Sequence, residues 1–180
     1  MSVTIHTTLG PIKVEIFCDL APRTSFNFLS LAASGAYTNS IFHRNIKSFM
    51  IQGGSPSTSG GKGGDSIWGD VDMIDEFHPE LKHDRRGMVS MANKGPNTNR
   101  SQFFFTYERQ PHLNNVYSIF GKVIDGFDIL DQMERLPSTG KKDRPVECPV
   151  IRGVEIHANP LADEGIVYPQ ADGPPVQTST

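Results

Sequence analysis

Two short runs of strict apolar–polar alternation constrain this chain more than any other feature. Val3, Ile5 and Thr7 share one side of an extended backbone, and after a turn at Gly10-Pro11 the pattern resumes at Ile12, Val14 and Ile16. A period of two does not make an amphipathic helix, so this opening stretch predicts a hairpin with one buried face. Strand-like stretches recur at Ile41–Ile46, Phe49–Gly53, Gly87–Ala92, Gln102–Thr106, Tyr117–Val123 and Val150–Ile156. Two segments carry helical spacing instead. Pro22 suits a first helical turn, and Phe26, Leu29 and Ala33 follow before a stop at Gly35, predicting a helix over about Pro22–Ser34. Phe127, Leu130, Met133 and Glu134 predict another, from a cap at Asp125 to about Leu136, with Asp128 favouring the positive helix end. Many short strands with two separated helices predict a mainly β fold, a barrel whose ends the helices cover.

At 180 residues the chain is long enough for one domain with a substantial core. After His157 the composition shifts to Pro, Ala, Asp, Gly and Thr, so residues 1–157 are read as the folded domain and 158–180 as a flexible tail. A net charge of −3 lacks the basic excess of a nucleic-acid binder. No stretch approaches the roughly 20 apolar residues of a membrane span, and MSVTIHTT lacks the apolar run of a signal peptide. Cys18 and Cys148 form no CxxC pair, which predicts a reducing compartment and neither a disulfide nor a metal framework. A soluble intracellular protein is the expectation, with the Asn99-Arg100-Ser101 sequon silent.

Which chemistry fits? Gly61-Lys62 sits in a Gly/Ser-rich loop, Gly53–Gly69, but a phosphate-cradling pattern needs glycine where Pro56 stands and Ser or Thr where Gly63 stands. No Ser-His-Asp or Cys-His pattern surrounds a recognisable nucleophile turn. The six histidines (His6, His43, His78, His83, His112 and His157) show no metal-ligand spacing, and the carboxylates are spread singly. What remains is Arg44 in FHRNIKSFMIQGG, with Gln52, and then SMANKGPNTNRSQFFFT, with Asn93, Gln102 and Phe104. Together they predict an apolar pocket, walled by Phe49, Met50 and Phe104 and rimmed by hydrogen-bond donors. Phe103 and Phe105 alternate with Phe104 and are assigned to the core, Trp68 to packing, and His43 to the strand face opposite Arg44. Rotation about a prolyl peptide bond needs only such parts. Its barrier of roughly 20 kcal/mol comes from amide resonance, and a guanidinium donating to the prolyl nitrogen favours the twisted state over both planar ones.

The blocks FHR…FMIQGG, GGKGGDSIWG, SMAN…GPNTN…SQFF and FGKV resemble the signature of the cyclophilins, peptidyl-prolyl cis-trans isomerases, over about residues 1–157. The resemblance implies an eight-stranded antiparallel β-barrel closed by two α-helices, with no metal or cofactor. It implies catalytic roles for Arg44, Gln52 and Phe104. Substrate contacts fall to Phe49, Met50, Gly61, Ala92, Asn93 (largely through its backbone), Gln102, His112, Leu113 and Tyr117. Proline-containing peptides and proteins are the implied partners of a monomer in nucleus or cytoplasm. A docking role with little turnover, beside spliceosomal proteins, is the alternative the resemblance leaves open. Departures matter too. His112 stands where many cyclophilins carry tryptophan, which implies weakened cyclosporin binding, and Tyr117 stands where many carry histidine. Arg100 and Lys94 replace glycine and alanine; with Lys62 they predict a preference for acidic residues before the proline.

Overall fold

The computed structural model describes residues 1–178. Its main sheet holds eight antiparallel strands: β1 (Ser2–Thr7), β2 (Gly10–Ile16), β3 (Phe42–Ile46), β4 (Met50–Gly53), β5 (Met88–Met91), β6 (Phe103–Thr106), β7 (Ile119–Asp125) and β10 (Ile151–Ile156). Two small hairpins lie outside it, β8 (Ser138–Thr139) with β9 (Arg144–Pro145), and β11 (Ile166–Val167) with β12 (Val176–Gln177). The main sheet runs β10-β1-β2-β7-β5-β6-β4-β3. Its two ends meet, because Ile41 bridges Val150 and Phe42 N–H donates to Pro149 O at 2.9 Å. Meeting of the ends leaves little free sheet edge for other strands to pair with.

The alternation read at the N-terminus is what fills the interior. Val3 and Ile5 of β1 and Ile12, Val14 and Ile16 of β2 are buried and face Phe28, Phe42, Phe103, Phe105 and Phe120. Phe103 meets Phe28, Tyr37 and Phe42 edge-on, the geometry that ring quadrupoles favour. Helix α1 (Pro22–Ala33) starts at Pro22 as predicted and packs on β10; α2 (Phe127–Arg135) packs against β2 and β3. The cap of α2 differs from the expectation. Gly126 takes that place at φ 92°, and Asp125 instead accepts the Gly126 N–H at 2.8 Å. A Cβ on Gly126 would lie 2.5 Å from Pro11 O, so the close approach as well as the dihedral requires glycine.

Residues 158–178, expected to belong to a flexible tail, fold back on the domain; residues 179–180 of that expected tail lie outside the described residues. Helix α3 (Pro160–Asp163) is capped by Asn159, and Leu161, Tyr168 and Ala171 are buried. Trp68 Nε1–H donates to Tyr168 O at 2.7 Å, Arg23 Nη2–H donates to Gly173 O at 2.9 Å, and the Arg23 guanidinium lies 5.3 Å over the Tyr168 ring. Composition missed this because few apolar side chains suffice when an aromatic surface, Phe26 with Trp68, is waiting for them.

Candidate active site

One cross-strand row organises the outer face of the barrel. Arg44 on β3 pairs with Gln52 on β4, Gln52 pairs with Phe104 on β6, and Phe104 pairs with Ser90 on β5. Directly opposed residues on neighbouring strands project to the same face. Simple alternation would put Arg44 on the same side as Phe42, which is buried in the core. A β-bulge resolves this: the register slips between Phe42 and Arg44, so His43 is the extra residue and the arginine turns outward. Arg44 is exposed, and among the described residues the ion pairs of the arginines engage Arg85, Arg86 and Arg100, leaving Arg44 without a carboxylate.

Beside the row lies an apolar cluster separate from the core. Met50, Phe104 and Leu113 are buried in it, with Ile46, Phe49, Ala92 and Tyr117 packed around them. Tyr117 meets the Phe104 ring edge-on at 5.4 Å, and the His112 ring tilts against Phe49 at 5.9 Å. The expected walls thus come together, and Ile46 joins them; it stands two residues from Arg44 on the same strand face, the one signal for it in the sequence. A patch built of rings and thioether offers a slot for another ring while Arg44 and Gln52 stay at its rim.

An amide relay forms the other rim. Gln102 Nε2–H donates to Gly63 O at 2.7 Å and leans on Gly61 O at 3.4 Å, so its Oε1 is left to accept from Gln52 Nε2 at 2.8 Å. The outward group of Gln52 is therefore its carbonyl oxygen, an acceptor. The Asn93 side chain is occupied, donating to Val116 O at 2.8 Å and accepting the Gly95 N–H at 3.2 Å. Its backbone N–H and C=O find no partner among the described residues. Gly61 lies behind the groove rather than on its surface: it is buried at φ 95°, and a Cβ there would sit 2.4 Å from the His43 ring. Burial, with the nearby Arg144 and Arg44 cations, pulls the His43 imidazole below its ordinary titration range.

A neighbouring groove of about 500 Å³ runs past Gln52, Gln102 and Ala92 to Lys94, Arg100, Asp65 and Asp72. The structure removes Arg100 from the proposed acid-binding set. Its Nε–H donates to Asp72 at 2.7 Å, its Nη1 to Asp70, and Asp65 stands 3.9 Å away. Three carboxylates around one guanidinium leave no net attraction for a fourth.

One arrangement escaped sequence reasoning altogether. His83, fully buried, stacks parallel to Phe104 with planes inclined by 9° and ring centroids 6.2 Å apart. It lies within hydrogen-bond distance of Ser90 Oγ at 2.6 Å and Asn114 Oδ1 at 2.9 Å. The partners are 7 and 31 residues away, so no local motif announces them. A serine within the apolar strand Met88–Met91 was the available hint, since a buried hydroxyl needs a partner. Ser90 is fully buried beneath this face, so the trio is not an accessible nucleophile.

Comparison with known proteins extends the reading. Residues 2–156 match the family described as cyclophilin type peptidyl-prolyl cis-trans isomerase/CLD. The Arabidopsis thaliana peptidyl-prolyl cis-trans isomerase CYP18-1 is 62% identical over 162 residues, covering 90% of this chain and 99% of the relative. Human peptidyl-prolyl cis-trans isomerase-like 3 is 56% identical over the same shares of both chains. A crystal structure of a Cryptosporidium parvum cyclophilin type peptidyl-prolyl cis-trans isomerase, solved in the presence of the dipeptide Ala-Pro, superposes with a TM-score of 0.82 at 52% identity. That match covers 88% of this chain and 100% of the other.

Proposed function

Because the chain belongs to the cyclophilin-type peptidyl-prolyl cis-trans isomerase family, we propose that Arg44, Gln52 and Phe104 carry the rotation of Xaa-Pro bonds in this enzyme. The observation that supports this assignment is the outward row Arg44–Gln52–Phe104 beside the Met50/Phe104/Leu113 cluster, with no carboxylate among the described residues paired to the Arg44 guanidinium.

The cluster receives the pyrrolidine ring, with Phe49, Ala92, Tyr117 and His112 completing its walls and rim. The free backbone groups of Asn93 fix the peptide on the far side. As the amide twists, its nitrogen lone pair leaves resonance and becomes an acceptor, and Arg44 donates to it. A planar amide, cis or trans, offers no such lone pair, so the interaction exists mainly at the top of the barrier, which is what accelerates a reaction. The Gln52 carbonyl, held outward by the Gln102 relay, keeps the guanidinium and peptide in register. Preorganised donors are worth about 3–4 kcal/mol each. Arg44, the one donor acting at the twisted amide, accounts on that scale for roughly 10²–10³-fold acceleration. No proton changes hands.

The test is exchange spectroscopy on an Ala-Pro-containing peptide with catalytic amounts of the protein. Cross-peaks between cis and trans signals on a sub-second timescale are expected, against the tens of seconds of the free peptide. A peptide that binds without exchange cross-peaks overturns the reading in favour of docking alone.

A further inference from the structure

We propose that His83 is a positioning residue for this isomerisation, locking Phe104 and the Pro111–Asn114 turn into one unit behind the proline pocket. The inference rests on the functional reading above.

Every polar atom of His83 is engaged. Its backbone N–H donates to Asn114 Oδ1 at 2.8 Å, and its carbonyl accepts the Gln110 N–H at 2.8 Å. Because a backbone N–H can only donate, the Asn114 atom it meets must be the oxygen. The ring Nδ1, 2.9 Å from that same oxygen, must then carry a proton. In the neutral ring, Nε2 is left as an acceptor for the Ser90 hydroxyl at 2.6 Å. Ser90 is the cross-strand partner of Phe104, and the imidazole plane lies parallel to the Phe104 ring. Asn114 follows Leu113 and is tied back to Pro111 O by its own N–H at 3.2 Å. One imidazole thus touches the floor of the pocket through Phe104 and its wall through the turn that carries His112 and Leu113. Tyr117 also meets Phe104, edge-on at 5.4 Å, so the phenyl ring has two aromatic neighbours. Groups that hold a substrate ring in register affect turnover when they slip by a fraction of an ångström.

Five variants test this by exchange spectroscopy at saturating peptide, with aromatic relaxation dispersion on Phe104; Ser90→Ala, which removes the hydroxyl held by the imidazole, is expected to lower kcat in the same direction as His83→Gln. His83→Gln keeps a donor and an acceptor but cannot stack; it is expected to lower kcat about tenfold with KM nearly unchanged, and to set the Phe104 ring in motion. Asn114→Ala is expected to do the same. Asn114→Asp preserves both acceptor contacts and is expected to rescue turnover. The double variant His83→Gln/Asn114→Ala is expected to lose no more than the worse single one, because both break the same link. Should His83→Gln fail to fold, Asn114→Ala and Ser90→Ala carry the decision. Folded variants with wild-type kcat, or losses that merely track the unfolded fraction, overturn the inference. Absence of exchange in the unaltered protein would instead overturn the functional reading.

Discussion

An arginine on the outside of a sheet with no carboxylate beside it keeps its hydrogen-bonding capacity for something that arrives from solution. Among the described residues Arg44 meets that description, whereas Arg86 spends its guanidinium on Asp131, Glu134 and Tyr107 O, and Arg100 on its aspartates. The rim residue His112 sets a different limit. It is exposed and covers Phe49 with a small ring, where an indole would reach further. His112→Trp is expected to tighten cyclosporin binding about tenfold, the return of one aromatic contact worth ~1.4 kcal/mol. An unchanged Kd by calorimetry would show that the rim does not govern that ligand. At this scale the site was readable where period-two alternation decides direction: Phe104 outward, Phe103 and Phe105 inward. It was unreadable where charges or amides meet across many residues, as at Arg100 with its loop aspartates and His83 with Asn114.

Among the elements, the bulge in β3 does the most for function. One extra residue lets Phe42 enter the core and Arg44 leave it, and His43, the residue inserted, becomes the surface against which Gly61 closes the loop. Nothing in the sequence marks a bulge that lacks glycine, so strand positions were legible while this register shift was not. The C-terminal segment is the other element that composition concealed. Tyr168 and Leu161 each bury enough apolar surface to contribute about 1.5–3 kcal/mol before ordering costs. Truncation after His157 is therefore expected to lower stability by about 2 kcal/mol. It should also red-shift the fluorescence of Trp68, the sole tryptophan. An unshifted spectrum with an unchanged Tm would mean that the segment does not hold to Phe26 and Trp68 in solution.

Across the whole molecule, catalysis and stability should respond differently to acid. In the proposed mechanism no titrating group takes part, so kcat is expected to stay level between about pH 6 and 9. A bell-shaped profile in that range would implicate a histidine. Stability is another matter. Burial holds both His43 and His83 below their ordinary range in the folded state. Below about pH 6.5 the unfolded chain therefore takes up protons that the folded one refuses. The stabilisation is complete above that pH and is lost as pH falls through the depressed folded-state values. Urea midpoints are expected to drop between about pH 7 and 5, less so in His83→Gln; a level midpoint contradicts this. Both responses depend on the same design, a rigid barrel with uncharged support beneath a surface cation. The most direct measurement is exchange at saturating peptide for Arg44→Ala beside the wild type, with Kd read from the same titration. A fall in exchange of about 10²–10³-fold with Kd altered only a few-fold is predicted for a donor that acts at the twisted amide. Exchange that survives the substitution, or falls only in step with binding, contradicts it.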